Sequence, residues 1–420
     1  MEKQGTLLDG CPVDSPDNIV NYQYDYVILL ANSYKEMREQ LIGIGVSEDY
    51  IIDKEHRGTF PVIRYVEKMN VIDENKDRKG KILLVPHVMN YSGAPLMLYN
   101  MAKVLRKNQY EVCVYTREWG ELTNHFLQAG VHVHKFDDFE FTEEEIGAYF
   151  SEFDLIIVNT IALYDLVQKL KDISKPVIWW LHEDEDAYQV RNLKKDDIPV
   201  WPDLHVYGVG KRAIAAYQEM TGNPIEELIY GIDNREIEAS DVVRKKITFA
   251  IIGLVCKRKA QDMFVEAIRK KWNAWKEQAD FVIVGEISEE QRREYENTGV
   301  VRLTGSVSYD EMIKIYEGID VVVCPSFYDP MPVVLTEGMM YKKVCIASDM
   351  TGTAGLIEPY QNGLVCKAGD VDSLAECIQW IIDHKGDMEQ IGENAYQTYK
   401  SNFSMNAFEQ KILTIIDKHM

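Results

Sequence analysis

From Lys81 almost to the end of the chain, short apolar runs rich in β-branched residues alternate with stretches whose apolar positions recur every three to four residues. That alternation predicts parallel sheets built from strand-helix-strand units, an α/β class. Lys81 to Pro86 reads as a strand, and Gly93 to Arg106 as a helix with Leu96, Leu98, Met101, Ala102 and Leu105 on its apolar side. Further strands are expected at 111–116, 131–135, 154–159, 177–181, 204–207 and 228–230, which completes one domain. A charged segment over 233–246 reads as a connector. A second set follows, with strands at 247–252, 281–284, 300–303, 320–324 and 344–347 and helices at 261–275, 289–297 and 309–317. A turn at Asn362-Gly363 and helices from Asp372, Met388 and Asn406 finish the chain.

Ahead of both sets, a strand over 25–31, a helix over 33–42 and a short strand over 50–52 form a small αβ unit. The expected divisions are therefore an extension over 1–78, a first Rossmann-like domain over 79–240, a second over 241–395, and a C-terminal helix over 396–420 placed to pack back on the first domain.

The chemistry concentrates in Val321 to Glu337. Val321 to Val323 is a buried strand and Cys324 to Tyr328 the loop after it. Asp329 precedes Pro330, and Asp is a favoured N-cap and Pro a favoured first helical residue, so a helix to Met340 is expected to start there. Its free N–H groups and positive dipole end would attract phosphate. Glu337 lies eight residues on, about 12 Å along such a helix. Taken singly, Asp329 also fits a plain N-cap and Glu337 an internally paired helix acid.

Two parallel-sheet domains place a cleft between the carboxyl ends of their strands, where open α/β sheets bind ligands. Asn90 to Pro95, with Ser92 and Gly93, follows the first strand and opens a helix; it is either a close-approach loop for a ligand or an ordinary turn. His182 ends the strand 177–181, where an imidazole can hydrogen-bond a sugar hydroxyl or phosphate, or simply cap neighbouring backbone. Asp184, Glu185 and Asp186 read as solvated acids. Gly253 to Lys259 follows the first strand of the second domain, and Lys257, Arg258 and Lys259 there suit a diphosphate leaving group.

Composition narrows the partners. Hydrophobic residues make up 46% and charged residues 27%, as in a globular protein. Lys and Arg total 46 against 68 Asp and Glu, a charge of −22, with no basic block, so nucleic acid and anionic membrane surfaces are poor partners. Seven cysteines (11, 113, 256, 324, 345, 366, 377) show no CxxC spacing and read as reduced residues of a cytoplasmic protein. Residues 1–6 lack a basic region followed by an apolar core, and no run is long enough to span a membrane. Peripheral membrane contact stays open.

Together these segments resemble the GT-B glycosyltransferases, and specifically the retaining family-four type, the glycosyl transferases group 1. The likeness covers roughly residues 80–400. It rests on Val321 to Met340, with its strand, Pro-Ser, acid, turn and second acid, and on the order of Gly253 with Lys259, Leu303 to Gly305, Gly231 to Asp233, and Ala347 to Asp349 with Gly352.

The resemblance implies two Rossmann-like domains facing a cleft and a nucleotide diphosphate sugar as substrate, with no bound metal or cofactor. It assigns Asp329 to the donor sugar, His182 to the sugar or phosphate, Glu337 to the ribose, Lys259 to the diphosphate, and the Met331 and Val333 amides to phosphate. Ser92 and Gly93 would lie on the acceptor side. Three positions depart from the pattern: Asp329 stands where Glu is commoner, Pro330 and Pro332 where glycines are commoner, and Leu254 where a phosphate-binding Arg is frequent, for which Arg258 could substitute.

The leading expectation is a retaining transferase acting on a glycan, lipid-linked or protein-linked acceptor in bacterial surface-polysaccharide assembly. A nucleotide-sugar epimerase of the same architecture and a non-catalytic sugar-nucleotide-binding partner of another transferase are the alternatives.

Overall fold

The computed structural model describes residues 78–135, 143–234, 245–308 and 311–420, and before them 7–8, 11–12, 19, 27–28, 34–47, 51–52 and 67–69. The middle of the expected connector, 235–244, lies outside the described residues. So do the flanks of the strand expected over 25–31 and the start of the helix expected from Tyr309.

Two compact units divide the chain, Met1–Tyr65 and Val66–Met420. In the first, strands Val27–Ile28 and Ile51–Ile52 pair in parallel, with helix Tyr34–Gly43 between them. Leu41, Val46 and Ile51 are its buried apolar contacts.

The second unit holds two sheets. One runs Glu226–Glu227, Leu204–Gly208, Val177–Leu181, Leu155–Asn159, Lys81–Val85, Glu111–Thr116, His132–Lys135, Glu67–Met69. All its pairings are parallel except the last, where Glu67–Met69 lies antiparallel to His132–Lys135. The sheet thus recruits residues from ahead of position 78. The other sheet is wholly parallel and runs Arg302–Gly305, Ala279–Val284, Ile247–Ile252, Val321–Cys324, Val344–Ser348, Leu364–Cys366. Central strands such as Leu155–Asn159, Val177–Leu181 and Val344–Ser348 are buried at every residue, which explains why they read as unbroken apolar runs.

In each sheet the first strand after the domain starts sits centrally, and the order reverses beside it. Lys81–Val85 neighbours Leu155–Asn159 in the first, and Ile247–Ile252 neighbours Val321–Cys324 in the second. These are topological switch points, where connections leave in opposite directions and open a crevice at the carboxyl ends.

The apolar run 228–230 is not a strand. Pairing ends at Glu226–Glu227, and Leu228, Ile229 and Tyr230 are buried as the chain crosses toward the second domain. Burial rather than strand pairing accounts for their character. The strand expected at 300–303 falls at Arg302–Gly305, and the helix expected at 309–317 is described over Met312–Gly318.

The last helix, Met405–His419, lies against the first domain. Phe408 is fully buried and stacks on Trp180 with ring centroids 5.9 Å apart. Glu409 accepts hydrogen bonds from Lys107 (2.7 Å) and Asn108 (2.7 Å). The Ile232 amide donates to the Phe403 carbonyl at 2.9 Å. Truncating a ring buried like Phe408 costs about 3–5 kcal/mol, so this helix is a substantial tie between the domains.

Candidate functional site

Glycine permits the backbone approaches that build the second-domain wall. Strand Ile247–Ile252 ends at Gly253, φ +133°, and a Cβ on the neighbouring Gly285 would stand 2.1 Å from the Gly253 carbonyl oxygen. The Pro325-to-Pro332 loop is stitched down on two sides. Phe327 N–H donates to the Arg258 carbonyl (2.9 Å), and Ser348 Oγ donates to the Ser326 carbonyl (2.6 Å). Asp329 then pairs with Thr351 as a parallel bridge, and Gly352 N–H donates to the Asp329 carbonyl (2.9 Å). A Cβ on Gly352 would lie 1.7 Å from the Pro330 carbonyl oxygen.

This extended segment corrects the expected helix start. The helix is Val333–Met340, with Pro332 at the cap position, so Asp329 is not an N-cap. Each proline disfavours helical backbone in the residue before it, which keeps Asp329 and Met331 out of the helix and delays its start to Val333. The 12 Å helical separation of Asp329 and Glu337 fails with it: only the four steps from Val333 to Glu337 are helical, about 6 Å of rise.

Two cations converge on one carboxylate oxygen. Asp329 Oδ2 accepts from Lys259 Nζ at 2.6 Å and from Arg258 Nη1 at 2.9 Å. Burial would raise the Asp329 carboxyl, but the Lys259 and Arg258 charges and their hydrogen bonds outweigh it and hold it below its ordinary value. Burial likewise pulls the Lys259 ammonium down, and Asp329 more than reverses this. Arg258 Nη1 also donates to the Tyr328 carbonyl (3.3 Å). Lys257 is exposed, so of the three cations only two reach the site. Leu254 is 56% exposed, and Arg258 supplies the second charge.

Glu337 is half-buried and accepts from Tyr316 Oη at 2.7 Å. Burial, and then the Glu337 charge, push the Tyr316 hydroxyl well up, so it stays a donor.

From the first domain, helix Gly93–Lys107 starts at Ser92, whose Oγ donates to Asn90 Oδ1 at 2.6 Å. A Cβ on Gly93 would sit 3.7 Å from Val333 Cγ2, so the starts of the two helices face each other across the cleft. His182 does not cap backbone. Its ring lies 4.4 Å from that of Trp180, its Nε2 is enclosed with no hydrogen-bond partner among the described residues, and burial, then the charge of His87, drive its pKa down to about 3.

The acids after His182 are not simply solvated. Glu183 Oε2 accepts from the Ile161 and His182 amides, both at 3.0 Å, and burial raises its pKa to about 7. Asp184 is buried, Glu185 pairs with Arg212 at 3.3 Å, and the Asp186 carboxylate, ahead of burial, lifts the Tyr328 phenol to about 12. Arg212 and Tyr328 stand 26 residues or more away in sequence, so no local pattern announced these pairings.

A family model described as glycosyl transferases group 1 matches residues 233–398, and one described as glycosyl-transferase family 4 matches residues 78–200. The chain belongs to the group 1 glycosyltransferase family. Its residues 1–52 match a separate model described as C2185-like, N-terminal. Among curated relatives, an N,N'-diacetylbacillosaminyl-diphospho-undecaprenol alpha-1,3-N-acetylgalactosaminyltransferase of Campylobacter jejuni is 26% identical over 146 residues, 34% of this chain and 38% of the relative. An alpha-D-kanosaminyltransferase of Streptomyces kanamyceticus is 23% identical over 183 residues, 42% of this chain and 44% of the relative. The chain therefore spans less than half the length of these curated relatives.

Solved structures cover more of the chain. Anabaena HepE in complex with UDP and glucose superposes with a TM-score of 0.67 at 17% identity, covering 80% of this chain and 99% of its own. Sucrose-phosphate synthase from Thermosynechococcus elongatus gives 0.67 at 17%, covering 81% and 99%. At such identity the likeness is one of fold, and the fold is GT-B: two Rossmann-like parallel-sheet domains.

Within this family member, several cleft residues carried no signal in the sequence. Tyr230 Oη bonds Thr336 Oγ1 (2.9 Å) and donates to the Met331 carbonyl (3.3 Å), linking the domains from a fully buried position. Gly210 approaches so closely that a Cβ there would meet Met331 Cε at 2.5 Å. Thr160 carries φ +83° at the end of strand Leu155–Asn159, uncommon for a β-branched residue and held by Trp179 Nε1 on its carbonyl (2.8 Å).

Proposed function

We propose that the chain is a retaining glycosyltransferase that moves a sugar from a nucleotide diphosphate donor to a glycan, lipid-linked or protein-linked acceptor in the cytoplasm, for bacterial surface-polysaccharide assembly. The observation that carries this reading is the convergence of Lys259 and Arg258 on Asp329 at the switch point of the second sheet. Lys259 is largely enclosed and Arg258 partly so; such cations need an anion, and without ligand the Asp329 carboxylate serves as one. A diphosphate presents the same chemistry on a larger scale.

In this reading the diphosphate takes Lys259 and Arg258, together with the first amides of helix Val333–Met340, while the freed Asp329 turns to the sugar hydroxyls and Glu337 to the ribose. The bond between the anomeric carbon and the phosphate oxygen breaks, and its electron pair stays on the phosphate, stabilised by the two cations. The acceptor oxygen bonds the anomeric carbon on the same face and passes its proton to the departing phosphate, so no metal is required. Neutral His182 donates to, or accepts from, the transferring sugar from the opposite wall. Relatives named for transfer to a diphospho-undecaprenol-linked sugar and for kanosaminyl transfer support the substrate class.

The test is donor hydrolysis with purified protein and a panel of nucleotide sugars in EDTA. Release of nucleotide diphosphate with retained anomeric configuration, lost in Lys259→Ala and Asp329→Ala, is expected. Interconversion of two nucleotide sugars without release would make it an epimerase. Binding with neither reaction would make it a binding partner.

A further inference from the structure

The chain that crosses between the domains carries a buried tyrosine, Tyr230, to which the donor chemistry gives no part. The backbone around it is clamped from several sides. Trp180 Nε1 donates to the Leu228 carbonyl (2.9 Å), Asn100 Nδ2 to the Gly231 carbonyl (2.8 Å) and Tyr399 Oη to the Ile232 carbonyl (3.0 Å). Tyr230 therefore projects from a fixed base toward the loop that carries Asp329. Burial, partly offset by the Thr336 hydrogen bond, raises its phenol above the ordinary value, so it keeps its single hydrogen. That hydrogen goes to the Met331 carbonyl (3.3 Å), and Thr336 Oγ1, 2.9 Å away, donates in turn to Tyr230 Oη.

The two points it holds govern the few amides this loop can offer. Pro330 and Pro332 lack N–H groups, which leaves Met331 and Val333 on either side of the one peptide whose carbonyl Tyr230 grips. Pro332 stands at φ −67° and ψ 115°, so turning the Met331 carbonyl turns the start of helix Val333–Met340 with it. Thr336 lies in the first turn of that helix and is fully buried. The Met331 side chain is held from both domains as well: Thr353 Oγ1 lies 3.4 Å from its Sδ, and a Cβ on Gly210 would come within 2.5 Å of its Cε.

We propose that Tyr230 is a positioning residue: by holding the Met331 carbonyl and the Thr336 hydroxyl it aims the Met331 and Val333 amides at a diphosphate, and ties that aim to the first domain. Its hydroxyl touches no ligand. A glycine-rich turn could fold around a phosphate as it arrives, whereas a turn stiffened by two prolines must be set beforehand. Donors aimed in advance need no reorganisation when the anion binds, and Tyr230 supplies the aim. Identifying that diphosphate with the donor's rests on the transferase reading, whereas anion binding governed by Tyr230 does not.

The experiment titrates inorganic pyrophosphate and a panel of nucleotide diphosphates by calorimetry into the full chain and into Tyr230→Phe, Thr336→Val and Val114→Ala. Val114 is buried in strand Glu111–Thr116 of the first domain, so its variant supplies a loss of stability alone. Tyr230→Phe is expected to weaken both ligands about tenfold and Thr336→Val about threefold, while Val114→Ala stays within about twofold despite a lower melting temperature. A Tyr230→Phe affinity within about twofold of wild type, or a Val114→Ala loss as large as that of Tyr230→Phe, overturns the proposal. Should Tyr230→Phe not fold, wild-type affinity in Thr336→Val overturns it alone. If the wild type binds pyrophosphate but no nucleotide diphosphate, the transferase reading fails and the pyrophosphate affinities still decide the role of Tyr230; binding of neither overturns both.

Discussion

Asp329→Ala separates the structural and ligand roles of the carboxylate. In the folded protein its Oδ2 neutralises Lys259, whose side chain is 17% exposed, and Arg258, 37% exposed. Removing one partner of a buried pair costs about 3–5 kcal/mol because an uncompensated charge remains. Arg258 already reaches water, so the penalty falls mainly on Lys259 and the lower figure, about 3 kcal/mol, applies. For a folded body of this size that lowers Tm by about 4 °C. Because the folded pKa lies below the ordinary 3.8, the carboxylate's stabilisation is complete above that value and disappears as pH falls through the folded pKa, so wild-type and variant melting temperatures converge in acid.

Nucleotide diphosphate reverses the ranking. It must compete with Asp329 for two cations in the wild type but meets them unpaired in the variant, so its affinity is expected to be equal or up to about tenfold tighter and its thermal stabilisation larger. Lys259→Ala, by contrast, loses a charge-assisted contact and about tenfold or more in affinity. The assay is thermal shift with and without nucleotide diphosphate, followed by calorimetry. An unchanged Tm in Asp329→Ala, or a loss of nucleotide affinity as large as that of Lys259→Ala, refutes the argument.

Three further outcomes are expected. Glu337→Ala weakens nucleotide diphosphate binding more than Asp329→Ala does, since the first would lose the ribose contact; equal calorimetric affinities in the two variants would contradict that assignment. Glu183→Gln keeps an oxygen that can accept from the Ile161 and His182 amides while removing a carboxyl raised to about 7. The stabilisation from that raised group is complete below its ordinary 4.5 and lost as pH rises through about 7, so the variant should gain about 3 kcal/mol on wild type between pH 5 and pH 8, read as a divergence of melting temperatures. Gly352→Ala forces a Cβ to within 1.7 Å of the Pro330 carbonyl; the loop must move, and a stability loss of about 1–3 kcal/mol with loss of donor hydrolysis is expected, whereas wild-type turnover would show that the Asp329 segment tolerates displacement.

Sequence by itself determined the class and most of the elements, because buried parallel strands such as Val177–Leu181 must be apolar throughout and amphipathic helices such as Gln261–Trp275 must repeat near 3.6 residues. It also marked Asp329, Lys259 and Glu337, whose order along the chain is itself the signal. Helix register was less legible: a favourable cap at Asp329 lost to the extended backbone imposed by Pro330 and Pro332 and by the pairing of Asp329 with Thr351. Only tertiary structure decided which charges meet. Arg258 joins Lys259 on Asp329 about seventy residues away, the Asp186 carboxylate acts on the Tyr328 phenol, and Tyr230 reaches Thr336 and the Met331 carbonyl from more than a hundred residues earlier. Local propensity acts over a few residues, whereas these contacts are set by strand order, which no stretch of the chain encodes alone.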